Sequence, residues 1–181
     1  MKKIVWTFGL ISGAICTAWL ITFVAMGVEA MNMDYGEVVG YSSMILAFSL
    51  IFVGIKQYRD KLNGGAVSFG KAFQIGLYIA LIGSTFYVVT WAIEYNFFAS
   101  NFMEEYTRCM VDKAKASGKT QAEINETLTQ MAKYKEWYKN PVFFTLMTYM
   151  EILPVGLLVS LLAAAILRKK PKELEILNAK N

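Results

Sequence analysis

Apolar positions along this chain fall into four long runs separated by polar segments, not into the alternating or striped patterns of a water-soluble core. The runs cover residues 4–28, 38–55, 72–98 and 141–167. A bilayer core of about 30 Å takes roughly 18 or more apolar residues when the chain is helical. Barrel-type alternation is absent, and in lipid a helix satisfies its backbone groups within one segment. The pattern predicts an all-α fold, a four-span transmembrane helical bundle forming a single integral membrane domain over residues 1–181.

One polar segment is long, residues 99–140. Phe102, Tyr106, Cys109 and Met110 recur at helical spacing, and Gly118 interrupts them. Thr120-Gln121-Ala122-Glu123 then reads as a capping box opening a second helix with Ile124, Leu128, Met131 and Tyr138 on one face. Asn140 can cap the fourth span, with Pro141 in its first turn, where a missing N–H costs nothing. The expected element is an extracytoplasmic helical hairpin between spans three and four, its two apolar stripes packed on each other. In the shorter link, residues 56–71, Gly64 and Gly65 can end one helix in the left-handed conformation and Ser68 can cap the next.

Charge sets the expected threading. With the N-terminus inside, 11 of the 18 basic residues sit at the N-terminus, in the 56–71 link or in the 168–181 tail. The connection between the first two spans holds Glu29, Asp34 and Glu37 and no basic residue, which places it outside. Both termini are then cytoplasmic. The first run competes with a signal-peptide reading, but it is far longer than the 7–15 residues of a typical signal core, so a retained span is preferred.

Composition agrees: 56% of residues are hydrophobic and 18% charged. Basic flanks account for the net charge of +4, so no nucleic-acid partner is implied. Histidine is absent, Cys16 and Cys109 lie in unlike surroundings, and there is no GxSxG, Walker loop or metal-ligand spacing. No enzyme, metal or cofactor is expected. Trp6, Trp19, Trp91 and Trp137 read as interfacial anchors.

The stretch GYSSMILAFSLIFVGIKQYRDKLNGGAVSFGKAFQIG, Gly40 to Gly76, with Tyr58-Arg59-Asp60, the pair Gly64-Gly65 and Ser68-Phe69, and a fourth span carrying a carboxylate then a proline, resembles the bacterial membrane family known as domain of unknown function 4199. That resemblance implies a four-span protein, found mainly in Bacteroidetes, without an established activity. Localisation in the bacterial inner membrane follows from it, and it offers no active site to transfer.

The candidate chemistry sits in Thr148 to Gly156, TYMEILPVG, inside the fourth run. Glu151 lies sixteen residues from Leu167, about 24 Å along a helix, so it falls in hydrocarbon toward the outer side. No span contains a lysine or arginine, so the acid is expected neutral and hydrogen-bonded. Counting depth the same way gives Thr17 and Thr22, Tyr41 and Ser42, and Tyr87 and Thr90 as neighbours in its layer. Pro154 frees the Met150 carbonyl, so Glu151, Pro154, Thr148, Tyr41, Ser42, Tyr87 and Thr90 together make an expected intramembrane polar pocket. Glu94, near the end of the third span, is expected in water at the interface. Gly9, Gly13, Gly76, Gly83, Gly156 and Ser160 are candidates for close helix packing.

Two functions compete on this basis. In the preferred one, Glu151 ties the bundle together in a non-enzymatic structural, interaction or accessory membrane subunit, with the bilayer as its first partner. A protein partner at the hairpin and self-association into a homo-oligomer remain open. In the alternative, Glu151 binds protons or cations in a transport subunit acting as an oligomer.

Overall fold

The computed structural model describes residues 1–27 and 33–170. Glu29 and the tail beyond Lys170, both used in the orientation argument, lie outside the described residues. Six α-helices follow one another: α1 (Lys2–Met26), α2 (Met33–Gln57), α3 (Phe69–Phe97), α4 (Phe102–Ala116), α5 (Gln121–Tyr138) and α6 (Pro141–Leu167). Four of them, α1, α2, α3 and α6, are long and apolar enough to cross a membrane. Large apolar side chains cover their outer faces, among them Ile45, Leu46, Val53, Val89, Leu158 and Ile166, each at least 49% exposed. Stripes of that kind require lipid or another apolar cover.

The four long helices form a bundle in which α3 touches α1, α2 and α6, and α2 touches α1, α3 and α6. Helices α1 and α6 therefore stand at opposite corners and the α2–α3 diagonal closes the centre. Half of α3's apolar window is buried against 28% for α1 and α6, which makes α3 the axis of the packing. Phe48, Ile51 and Ile55 of α2, Ile75 and Ile79 of α3 and Ile152 of α6 are fully buried there.

Small residues set how closely the axes approach. A Cβ added at Gly9 would lie 2.8 Å from the Ile82 side chain, one at Gly13 2.7 Å from Phe86, one at Gly76 2.8 Å from Ser160 and one at Gly156 2.8 Å from Ala80. Gly83 faces the Phe48 ring at 3.2 Å. Ser160 is fully buried and donates its hydroxyl to its own helix, to the Gly156 carbonyl at 2.7 Å. Since lipid tails are as apolar as these side chains, helix association here rests on such packing and on polar ties. The ties are distributed: Ser12 donates to the Ala47 carbonyl at 2.8 Å between α1 and α2, Thr17 and Thr90 meet at 3.4 Å between α1 and α3, and Thr85 and Tyr149 meet at 2.8 Å between α3 and α6.

Local signals explain the ends. Thr120 accepts from the Glu123 N–H while the Glu123 carboxylate accepts from the Thr120 N–H, the reciprocal capping box. Asn140 accepts from the Val142 N–H at 2.9 Å with Pro141 in the first turn. Ser68 caps α3, which fixes its start at Phe69, three residues before the apolar run. Helix α2 begins at Met33, five residues before its run. Ile124 and Met131 of α5 and Met103 and Ala114 of α4 are buried, whereas Leu128, expected on the packed face, is 43% exposed. An ion pair, Lys135 Nζ to Glu104 at 2.9 Å, joins α4 and α5.

At the opposite end of the bundle, α2 runs into one wide π-helical turn, Tyr58–Leu62. Gly64 and Gly65, at φ +60° and +81°, reverse the chain in a conformation that favours glycine. Arg59 pairs with Asp60 at 2.7 Å and donates to the Leu167 carbonyl at 3.2 Å, and Tyr58 reaches Asn63 at 3.4 Å. Val67 and Lys169 exchange two backbone hydrogen bonds of 2.9 Å. The link is thus latched onto the last turn of α6.

Candidate functional site

The α4–α5 end of the bundle holds a cavity of about 490 Å³, a size typical of small-molecule sites. Its wall is built from all six helices. Trp19, Leu20 and Phe23 come from α1, Gly36, Glu37, Gly40, Tyr41 and Met44 from α2, and Tyr87 and Trp91 from α3. The α4–α5 pair adds Phe102, Met103, Tyr106, Met131, Tyr134 and Tyr138, and α6 adds Met147 and Glu151.

Each part is held for an identifiable reason. Gly40 gives the Trp19 indole its room, since a Cβ there would lie 3.3 Å from the ring nitrogen. Trp91 is buried and meets Phe102 edge-on at 4.8 Å, which ties α3 to the start of α4. Tyr138 and Tyr95 both meet the buried Phe144 ring, at 5.2 and 5.3 Å, which joins α5, α3 and α6. The roof is therefore anchored to the spans by rings.

Glu151 stands in this wall with its side chain accessible to the cavity. The Tyr87 hydroxyl, on a buried ring, donates to its Oε1 at 3.3 Å. Among the described residues its other oxygen accepts no hydrogen bond and it has no ion-pair partner. Above the spans, burial raises the Tyr106 phenol, with the negative charges of Glu37 and Glu151 adding to the effect. Burial, then the charge of Glu151, pushes Tyr138 up to about 12. Both phenols are neutral hydrogen-bonding groups across the physiological range.

Glu151, Tyr41 and Tyr87 thus share one wall, while the other residues expected with them stand elsewhere. Thr148 is buried and bonds back to the Phe144 carbonyl at 2.9 Å. Thr90 faces Thr17, Thr22 bonds the Ala18 carbonyl at 2.8 Å, and Ser42 is exposed on the outer surface of α2. Pro154 lies inside α6 away from the cavity. A depth count fixes height along a helix but not which way a side chain faces, and these residues point elsewhere around their axes.

Two corrections follow. Glu94 is 6% exposed, not in water, and its buried Oε2 has no hydrogen-bond partner among the described residues. The chain turns directly after α3, with the Phe98 and Ala99 N–H groups both bonding the Glu94 carbonyl, and α4 then folds back over that end. Trp19 and Trp91, read as interfacial anchors, are cavity walls. Their spacing carried no signal for this, because an anchor and a wall put the same residue type at the same depth.

A family model described as Protein of unknown function (DUF4199) matches residues 7–169. No curated protein and no solved structure matches the chain. The chain belongs to the DUF4199 family.

Proposed function

We propose that this DUF4199 chain is a non-enzymatic accessory protein of the bacterial cytoplasmic membrane that holds a small molecule in the cavity under its α4–α5 roof. Both termini are cytoplasmic and the roof lies outside, a threading supported by the basic residues at the 56–71 link and after Leu167. The observation that carries the binding reading is the accessibility of Glu151. A carboxylate serving only to tie helices together belongs between them with its oxygens satisfied, whereas this one meets the helices through one tyrosine and otherwise faces open space. The tying is done by Ser12, the Thr17–Thr90 pair and the Thr85–Tyr149 pair. The filled centre around Phe48, Ile51 and Ile79 favours holding over passage, since it leaves the cavity closed toward the link end.

Purification in mild detergent followed by native mass spectrometry tests this reading. A small molecule retained by the wild-type chain and lost in Gly40→Leu, which fills the cavity wall beside Trp19, is the expected result. A chain with no retained small molecule, and with equal stability in the two forms when total membrane extract is added back, would refute it. Cysteine labelling of single-cysteine variants at residue 119 and residue 61 checks the threading, with reaction from outside expected at the first alone.

A further inference from the structure

The cavity's chemistry is one-sided. Among the described residues that line it, two are carboxylic acids, Glu37 on α2 and Glu151 on α6, and none is a lysine or arginine. The remainder of the wall is mostly aromatic and methionine, with Trp19, Trp91, Tyr41, Tyr87, Tyr106 and Tyr138 contributed by α1, α2, α3, α4 and α5. Lys113 of α4 acts on Tyr106 from beyond the wall. A neutral apolar guest would gain from the rings but shut Glu151 away from water with one oxygen unpaired. An anion would meet both acids directly. A cation with an apolar body satisfies both halves: its charge sits against the carboxylates and over the electron-rich ring faces, and its body fills the apolar remainder.

We infer that the cavity is an aromatic cage for a hydrophobic organic cation, an alkylated or aryl amine or a quaternary onium ion, with Glu151 and Glu37 as its counter-charges. The inference rests on the reading of the cavity as a binding site and adds the class of guest. Tyr87 has a positioning role: its hydroxyl holds one oxygen of Glu151 and leaves the other for the guest. Trp19 sits beside the bare backbone of Gly40, so the cage wall on that side depends on glycine.

Tetraphenylphosphonium and tetraphenylborate are nearly the same size and shape and carry opposite charges. Each is titrated against the full-length chain in nanodiscs of zwitterionic lipid, read by equilibrium dialysis and by quenching of tryptophan fluorescence. Empty nanodiscs measure partition into lipid. The expected result is saturable binding of the phosphonium ion in excess of that partition, with no saturable binding of the borate. Glu151→Gln is expected to weaken the phosphonium about ten-fold or more, and Glu37→Gln by a smaller factor. Because Glu37 is exposed at the rim, its variant keeps the test in force if Glu151→Gln does not fold. Trp19→Phe together with Trp91→Phe is expected to remove most of the quenching and Trp6→Phe little of it. Equal saturable binding of both ions, or phosphonium binding indifferent to both glutamines, would overturn the cation class while leaving a binding cavity. Saturable binding of neither ion would overturn the class as well. The retention experiment above then decides separately whether the cavity binds anything else.

Discussion

Replacing Gly156 by alanine puts one methyl group into a tight part of the α3–α6 contact. That methyl would lie 2.8 Å from the Ala80 Cβ and 3.2 Å from two carbons of the Phe48 ring, where ordinary contact is 3.4 to 4 Å. Ala80 and Phe48 are both fully buried, so neither can swing away, and the helices must separate by roughly half an ångström at this point. Overpacking of this kind costs about 1–3 kcal/mol. Alanine returns about 0.5–1 kcal/mol over glycine in a helix, leaving a net loss of up to about 2.5 kcal/mol, a factor of up to roughly 70 in the folding equilibrium. Gly70 is the control: it lies in the first turn of α3 with nothing within 4 Å of its added Cβ, and Gly70→Ala should be neutral or slightly stabilising.

The pair can be turned into a cycle. Ala80→Gly removes the methyl that Gly156→Ala runs into, so the double variant moves one methyl across the interface rather than adding one. It should be more stable than the sum of the two single changes by about 1–2 kcal/mol. Unfolding by sodium dodecyl sulfate in mixed micelles, followed by tryptophan fluorescence, gives each value against wild type. Additive losses, or a Gly156→Ala variant as stable as Gly70→Ala, would refute the claim that bare backbone sets the α3–α6 distance.

Three further outcomes follow from the geometry. Arg59→Ala removes the donor to the Leu167 carbonyl and should cost about 1–2 kcal/mol, with faster tryptic cleavage at Arg168 and Lys169; Arg59→Lys should recover only part, since an ammonium cannot span Asp60 and Leu167 in one plane. The hydrogen bond from Lys135 holds Glu104 below the usual carboxylate range, and the bond to Glu104 raises Lys135. The link between α4 and α5 should therefore weaken as pH falls through the acid range of Glu104, weaken again as pH rises past the ordinary lysine range, and stay level between, as read by hydrogen exchange in α5. Tyr138 ionises at about 12 instead of 10, so stability fully present below pH 10 should fall by about 2–3 kcal/mol as pH rises from 10 to 12. Tyr138→Phe should remove that fall and the matching tyrosinate absorbance.

The spans were legible because lipid imposes a length and a composition that any reader can count, and the caps because Thr120, Ser68 and Asn140 act within one turn of themselves. Two helices start three to five residues ahead of their apolar runs, at Phe69 and Met33, the first because Ser68 sets the cap. The glycines expected at close contacts do meet Ile82, Phe86, Ser160, Phe48 and Ala80, since a bare position in an apolar helix has few other uses. The cavity was far less legible. Its roof comes from α4 and α5, whose docking on the spans depends on the turn at residues 98–101 and on ring contacts between Trp91 and Phe102 and between Tyr138 and Phe144. Nothing local encodes those meetings. Arg59 shows the same limit: it lies 108 residues from Leu167 in sequence, so its latch on α6 is invisible until both ends of the bundle are folded.

An acid and a proline three residues apart invite one shared explanation, and the fold separates them. Pro154 removes an N–H that would have met the Met150 carbonyl, but Met150 is 70% exposed on the outer face of α6 and neither residue reaches the cavity. The freed carbonyl adds nothing to the environment of Glu151. What makes the acid tolerable is its position at the wall of an open space near one end of the spans. Solvent entering that space lowers the cost of charge there well below that at the centre of a bilayer. Residence in hydrocarbon would select for a satisfied, enclosed carboxylate, and the Tyr87 bond alone supplies half of one. The other half is left for whatever the cavity holds. On that account, closing the cavity by Gly40→Leu should make Glu151 costly where it was tolerable, so that Glu151→Leu changes the stability of the wild-type chain little but relieves the Gly40→Leu variant, as read by the same unfolding in sodium dodecyl sulfate.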